Sequence, residues 1–339
     1  MGSLSRWPSI LLASIAGVAM AQTSVDSDLN RAQAEIEHGQ AEQGLAILRE
    51  LVARSPAVAG AAHELGVGLY RTGKLLDAIK VLTQAEQENP KDIEAVQLHG
   101  LALYRLGQPA AAIPYLKQVS QWVPDANADA NHVLGLCYLN ARQYDEARAS
   151  FAAEFGVTTD SAAAYLFLGR QLMLAHLPEL AAVAASKALT LDPHLPLAHF
   201  MQGEIFLFKS QTGAALKEFE AERAANPMYP PVYERLGDLY SRIGKLAEAQ
   251  EVLMKALSLD TSSTGPFILL GKVLLRRGDP ANALLYLHHA EHMDPDNVTT
   301  HTLLSQAYRG MGDEAHAKAE VEETARLNAA NQLQLQPVK

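Results

Sequence analysis

The chain has 339 residues, a net charge of −10 and one cysteine, Cys137. A protein this acidic is repelled by nucleic-acid phosphates and by anionic lipid, so we expect neither nucleic acid nor a membrane surface as its partner. A single cysteine excludes an internal disulfide, and its apolar helical surroundings predict a small buried side chain rather than a reactive thiol.

The first 21 residues have the pattern of a secretory signal peptide. Arg6 and the amino terminus supply positive charge, residues 10–20 are apolar, and residues 19–21 (Ala-Met-Ala) match a cleavage site. The apolar run is short for the alternative, a membrane-spanning helix. We therefore expect cleavage before Gln22 and export to a bacterial periplasm or beyond, with no membrane insertion of the mature chain.

Two ladders of small residues run through the chain, with steps of 34 residues apart from one shared step of 35. Because both ladders contain the same odd step, they mark one structural repeat. We number the repeat so that the first ladder is position 8 and the second is position 20. The first ladder consists of Ala32, Gly66, Gly100, Gly135, Gly169, Gly203, Gly237, Gly271 and Ser305. The second consists of Gly44, Ala78, Ala112, Ala147, Ala181, Ala215, Ala249, Ala283 and Ala317.

Each repeat is predicted to contain two helices, since the chain is rich in Ala, Leu, Glu and Gln. Helix A covers about positions 1–13 and helix B about positions 17–30. Glycine at position 15 of six repeats predicts a left-handed end to helix A. Proline at position 17 (Pro109, Pro178 and Pro280) is suited to the first turn of helix B. Small residues at positions 8 and 20 allow a close approach of the two helices.

This pattern resembles the tetratricopeptide repeat, a 34-residue helix-turn-helix unit, over about residues 25–329. The resemblance implies an all-α fold, a right-handed superhelical solenoid of about nine repeats. The predicted organisation is a signal peptide at 1–21, the solenoid at 22–329 and a polar tail at 330–339. The end repeats depart most from the pattern, as expected where a solenoid meets water.

No catalytic motif is found in the sequence: it has no phosphate-binding glycine loop, no zinc-protease helix and no Gly-x-Ser-x-Gly turn. We therefore predict no enzymatic activity and no cofactor. His288 and His292, four residues apart, could together bind a metal ion, but a stable site needs further ligands. A solvated helix face is the preferred interpretation, and we predict no metal site.

In this family, helix A positions 2, 5, 9 and 12 line a concave groove that binds peptides. The resemblance therefore implies a partner-binding groove here, to which we add the neighbouring position 13. In repeats two to four the candidates are mostly polar or aromatic: His63, Tyr70, Arg71, Gln97, Tyr104, Arg105, His132 and Asn140. In repeats five and six they are mostly apolar: Leu166, Arg170, Met173, Leu197, Phe200, Glu204, Leu207 and Phe208.

The apolar candidates of repeat six leave two alternatives open. Phe200, Leu207 and Phe208 either form an exposed apolar cluster, which usually marks an interaction site, or pack against a neighbouring repeat. Some relatives hold a terminal carboxylate with a lysine at position 5 and an asparagine at position 9 of one repeat. No repeat of this chain has both residues. Recognition of a carboxylate tail is therefore not predicted.

These observations favour a non-enzymatic protein–protein interaction scaffold, which binds a peptide or partner protein in a bacterial envelope assembly or quality-control process. One alternative is a regulatory or substrate-recruiting subunit of an enzyme system, such as a glycosyltransferase or a protease. A third hypothesis is a metal or small-ligand carrier based on His288 and His292. A metal-content assay of the purified protein separates the third from the other two.

Overall fold

The computed structural model describes residues 27–54, 58–123 and 128–334, and the predicted signal peptide lies outside this part of the chain. Regular structure in the described residues is entirely helical, and none of these helices is both long and apolar enough to cross a membrane. The helices are α1 (27–37), α2 (Ala41–Ala53), α3 (Ala61–Arg71), α4 (Leu75–Glu88), α5 (Ile93–Arg105), α6 (Pro109–Trp122), α7 (Ala128–Asn140), α8 (Tyr144–Glu154), α9 (Ala162–Leu174), α10 (Pro178–Leu191), α11 (Ala198–Phe208), α12 (Thr212–Ala225), α13 (Pro230–Arg242), α14 (Leu246–Leu259), α15 (Thr264–Arg276), α16 (Pro280–Met293), α17 (Val298–Gly310) and α18 (Glu314–Gln334).

Within the described residues the helices alternate as predicted, with odd-numbered helices A and even-numbered helices B in nine repeats. A proline begins each of three helices B: Pro109, Pro178 and Pro280. An N–H at this position has no intrahelical acceptor, so its absence in proline costs no hydrogen bond. The prediction of an all-α repeat solenoid is confirmed. The last helix, α18, continues to Gln334, inside the segment that we predicted as a polar tail.

The chain divides into two compact bodies, Met1–Leu168 and Gly169–Lys339, with the boundary inside α9. In the first body α3 contacts α5 and α5 contacts α7, and in the second α13 contacts α15 and α15 contacts α17. No two successive helices B make comparable contacts within the described residues. Because the closer-spaced layer of a curved stack lies on its inner side, the helix A layer forms the concave side of each body.

The glycine at position 8 contacts the large side chain at position 24 of its own repeat. A Cβ added to Gly237 would lie 2.5 Å from Leu253, and one added to Gly203 would lie 2.6 Å from Phe219. Repeat five differs because its position 24 is the small Ala185, and there a Cβ on Gly169 would instead meet Met201 at 2.7 Å. Position 8 is therefore small because a neighbouring side chain occupies the space of a Cβ.

The glycines at position 15 end helix A in the left-handed conformation, as predicted, with φ between 74° and 83°. In repeats four to six the same conformation is adopted by residues that carry a Cβ. Arg142, His176 and Ser210 have φ values of 57°, 57° and 58°. Helix A therefore ends in the same left-handed backbone conformation whether or not position 15 is glycine.

Cys137 lies in α7 with no exposed surface, and it forms no disulfide. Burial raises the pKa of its thiol to about 11. The thiolate, which is the reactive form, is therefore scarce at neutral pH. The prediction of a small buried side chain is confirmed.

Candidate partner-binding surface on the helix A layer

A cavity of about 200 Å³ opens on the helix A layer of the first body, between α1, α3 and α5. Its apolar lining includes Leu48 and Val67, which are 0% and 7% exposed. Seven of its ten lining residues stand at positions 2, 5, 9, 12 or 13 of helix A, the positions of the predicted groove. The lining consists of Gln33, Ile36, Glu37, Leu48, His63, Glu64, Val67, Gly68, Arg71 and Glu94.

His63 is held in this cavity by two carboxylates of the next repeat. Its Nδ1 lies 2.7 Å from Asp92 and its Nε2 lies 3.5 Å from Glu94. Asp92 also caps α5, since its other oxygen accepts the N–H of Ala95 at 3.0 Å. His63 thus connects the cavity wall to the start of the following helix A.

The two Tyr-Arg pairs of repeats two and three are arranged across repeats. The guanidinium carbon of Arg105 lies 5.1 Å from the ring centre of Tyr70, in a cation–π contact. Arg71, next to Tyr70 in sequence, is exposed at the cavity edge. Tyr104 is half-buried, and burial, with a smaller contribution from Cys137, raises the pKa of its phenol. Both arginines are exposed, and Arg105 is the one held by a neighbouring aromatic ring.

The remaining candidates of the first body lie on the same layer, with differing exposure. His132 is half-buried, and its Nδ1 lies 2.9 Å from Glu154. Asn140 is exposed and donates from its side chain to the carbonyl of Leu136 at 3.0 Å. Gln97 and Leu166 are half-buried. Much of the predicted groove thus also stabilises the repeats that form it.

The second body settles how the two aromatic candidates of repeat six are placed. Phe200 is half-buried, and its ring centre lies 5.4 Å from that of Phe219 and 5.2 Å from that of Tyr229. Leu207 packs against the same core cluster. Phe208, in contrast, is 61% exposed. Phe200 and Leu207 therefore pack into a core cluster that includes side chains of repeats six and seven, whereas Phe208 is exposed.

The other candidates of the second body surround this cluster. Arg170 is exposed, Met173 is half-buried, and Leu197 is 38% exposed. Leu197 has a left-handed φ of 70° immediately before α11. Glu204 accepts two hydrogen bonds from the guanidinium of Arg235 in the next repeat, at 2.7 and 3.2 Å. Glu204 is thus an ion-pair partner at the junction of repeats six and seven.

Sequence analysis missed Glu222, a polar residue of helix B that supports this layer from below. Glu222 has no exposed surface, and its carboxylate accepts the N–H of Leu197 at 2.8 Å and of Phe200 at 3.1 Å. The sequence already marks Glu222 as unusual, since it stands at position 27, which is alanine in four other repeats. Glu234 lies beside Arg235, and burial is the main reason why the pKa of its carboxyl is raised.

The histidine pair considered as a metal site lies on helix B, away from the helix A layer. His288 and His292 are both exposed. His288 Nδ1 lies 2.9 Å from Glu291, and its Nε2 lies 3.0 Å from the hydroxyl of Tyr308. His288 is therefore part of a polar network with the last repeat.

Three family models, each described as the tetratricopeptide repeat, match residues 29–93, 103–153 and 230–263. The matches fall within the repeats that the helix pairs define. The chain is a tetratricopeptide repeat protein. This fold indicates a protein–protein interaction scaffold with protein or peptide partners, and proteins of this family are typically non-catalytic.

Among curated proteins, a DnaJ homolog subfamily C member 7 homolog of Schizosaccharomyces pombe (strain 972 / ATCC 24843) is 24% identical over 206 residues. The match covers 55% of this chain and 43% of that relative, so this chain spans less than half of the relative's length.

Solved structures of similar fold include YrrB, described as a TPR protein with an unusual peptide-binding site. It is 20% identical, with 56% of this chain and 97% of YrrB covered and a TM-score of 0.48. Pseudomonas aeruginosa PilF is 21% identical, with 60% of this chain and 93% of PilF covered and a TM-score of 0.49. MamA is 18% identical, with 48% and 96% covered and a TM-score of 0.45.

Proposed function

We propose that this tetratricopeptide repeat protein is a non-enzymatic scaffold that binds a peptide or partner protein on its helix A layer. The cavity of about 200 Å³ between α1, α3 and α5 is the observation that carries this proposal. Its lining is mostly polar, with three carboxylates (Glu37, Glu64 and Glu94) and the guanidinium of Arg71 beside the apolar Ile36 and Val67. Such a cavity suits one side chain of a bound segment, whose backbone lies along the neighbouring helices A.

We further propose that the protein acts in a bacterial envelope process after export. The signal-peptide pattern of the first 21 residues supports this proposal. Expression of the full chain in a bacterium, followed by fractionation and mass spectrometry of the amino terminus, tests it. We expect periplasmic protein that begins at Gln22, and uncleaved protein in the cytoplasm would contradict the proposal.

The binding surface is tested by site-specific photo-crosslinking in an envelope extract. A photoreactive residue replaces either Arg71, at the cavity edge, or Lys80, which is 77% exposed on helix B of the same repeat. We expect crosslinks to a partner from position 71 and none to the same partner from position 80. Equal crosslinking from both positions would contradict a binding surface on the helix A layer.

Charge reversal gives an independent measurement on the same two positions. Arg71→Glu is expected to weaken partner capture at least fivefold, because it removes a cation from the cavity edge and adds a carboxylate beside Glu64 and Glu94 (~1 kcal/mol or more). Lys80→Glu is the matched control, and it should leave capture unchanged. Circular dichroism verifies that both variants remain helical.

A further inference from the structure

Three side chains with metal-binding chemistry meet where repeats eight and nine join. Glu291 lies on α16, His301 on α17 and Glu320 on α18, and one ligand atom of each lies within 4.8 Å of the other two. His301 is 4% exposed, whereas the two glutamates are partly exposed. The cluster is thus closed on the imidazole side and open to solvent on the carboxylate side.

The two ring nitrogens of His301 face different acceptors. Nε2 lies 2.8 Å from the carbonyl oxygen of Pro295, and Nδ1 lies 2.7 Å from the carboxylate of Glu320. A carbonyl oxygen only accepts hydrogen bonds, so Nε2 carries a proton. When Nδ1 is also protonated, it donates to Glu320, whereas in the neutral ring it presents a lone pair that can bind a cation held by the two carboxylates.

A metal ion satisfies this arrangement in the way that protein sites commonly do. A metal-binding imidazole usually donates its other N–H to a backbone carbonyl or a carboxylate, and the carbonyl of Pro295 has that place here. Glu291 is oriented by an outer contact of the same kind, since His288 Nδ1 lies 2.9 Å from its carboxylate. His288 in turn contacts the hydroxyl of Tyr308 at 3.0 Å.

Repeat six provides an internal comparison. There His199 Nδ1 lies 2.7 Å from Glu218, and its Nε2 lies 3.2 Å from the carbonyl oxygen of Pro193. These residues occupy the same repeat positions as His301, Glu320 and Pro295. The position that corresponds to Glu291 is Leu189. Packing of two repeats around this histidine therefore does not require the third ligand, and Glu291 is an addition.

We propose that Glu291, His301 and Glu320 bind one divalent first-row transition-metal ion, with Zn²⁺ as the best match. One imidazole nitrogen and two carboxylate oxygens, completed by water, suit such an ion. Zn²⁺ binds these atoms at about 2.0–2.2 Å, which small rotations of the two partly exposed carboxylates allow. The ion links α16, α17 and α18, and so fastens the last repeat to its neighbour. This proposal is independent of the partner-binding surface.

Titration calorimetry with ZnCl₂ on the tag-free full chain, after treatment with a chelator, tests the site. We expect one Zn²⁺ per chain. Glu291→Leu, which introduces the residue found in repeat five at this position, should weaken binding more than about tenfold. Glu218→Gln, in the comparison cluster, should leave it unchanged. If Glu291→Leu loses helix content by circular dichroism, Glu291→Gln replaces it in the comparison.

A gain of function provides the complementary test. Leu189→Glu supplies the missing carboxylate beside His199 and Glu218, and it should add a second Zn²⁺ equivalent that Leu189→Glu/His199→Gln loses again. Absence of Zn²⁺ binding by the parent chain would overturn the proposal. Unchanged affinity in the Glu291 variants would also overturn it, as would loss of binding in His292→Gln alone, which would assign the ion to the exposed histidine pair.

Discussion

The left-handed residue at the end of helix A differs along the chain in chemistry but not in conformation. Gly244 adopts φ of 83°, and no atom lies within 4 Å of the place that a Cβ would occupy. Ser210, at the same position one repeat earlier, adopts φ of 58° with a Cβ present. Because the left-handed conformation costs a residue with a Cβ about 1–2 kcal/mol, Ser210 carries backbone strain that glycine would remove.

Ser210→Gly is accordingly expected to stabilise the protein by about 1 kcal/mol, less the entropy that glycine gains on unfolding. Denaturant unfolding followed by circular dichroism measures the change. Ser210→Ala keeps a Cβ and should give no such gain, and Gly244→Ala should destabilise. A loss of stability in Ser210→Gly would show that the serine side chain has a role that outweighs the strain.

At the scale of the element, the start of α11 depends on one buried carboxylate. The first N–H groups of a helix lack intrahelical acceptors, and Glu222 of the paired helix B supplies one for Leu197 and one for Phe200. Glu222 therefore caps α11 from another helix, whereas α5 is capped by Asp92, the residue directly before it.

Glu222→Ala should destabilise the second body by about 2 kcal/mol, since it leaves two partly buried N–H groups without an acceptor. Glu222→Gln keeps one acceptor oxygen and should cost less. Hydrogen exchange at the amides of Leu197 and Phe200 measures the local effect, and we expect faster exchange in Glu222→Ala. Unchanged exchange at both amides would be incompatible with this capping role.

Helix pairing within a repeat depends on the space between the residue at position 8 and the side chain packed against it. Gly237→Ala should destabilise by about 1–3 kcal/mol, because the added Cβ would overlap Leu253 in a well-packed core. Gly169→Ala is the matched comparison and should cost less, since its Cβ would meet the flexible end of Met201. Thermal unfolding measures both, and equal losses would argue against this distinction.

At the scale of the whole molecule, the side chains that face the helix A layer also join neighbouring repeats. Gln33 donates to Glu64 at 2.7 Å, and Arg235 donates to Glu204, in each case between successive repeats. Arg276 donates to the backbone carbonyl and hydroxyl of Ser241 in the preceding repeat. In a solenoid such nearest-neighbour contacts supply much of the stability. Exposed residues such as Arg71 and Phe208 are therefore better probes of binding than Phe200.

The sequence by itself determined the repeat, the helix pairs and their ends. These features follow from local chemistry that recurs at a fixed spacing: glycine for a left-handed turn, proline for a first helical turn and small residues where helices approach. Because each such requirement acts within one repeat, nine copies strengthened the same prediction, and Gly244 or Pro280 could be placed correctly without any tertiary information.

Only the tertiary structure decided which helix A residues are exposed and which polar groups meet. Phe200 and Phe208 are eight residues apart on α11, which places them about 80° apart around the helix axis, and packing covers Phe200 and leaves Phe208 exposed. Glu291, His301 and Glu320 come from three helices and two repeats. Spacing along the chain describes one helix face at a time, whereas burial and clustering depend on how adjacent repeats stack.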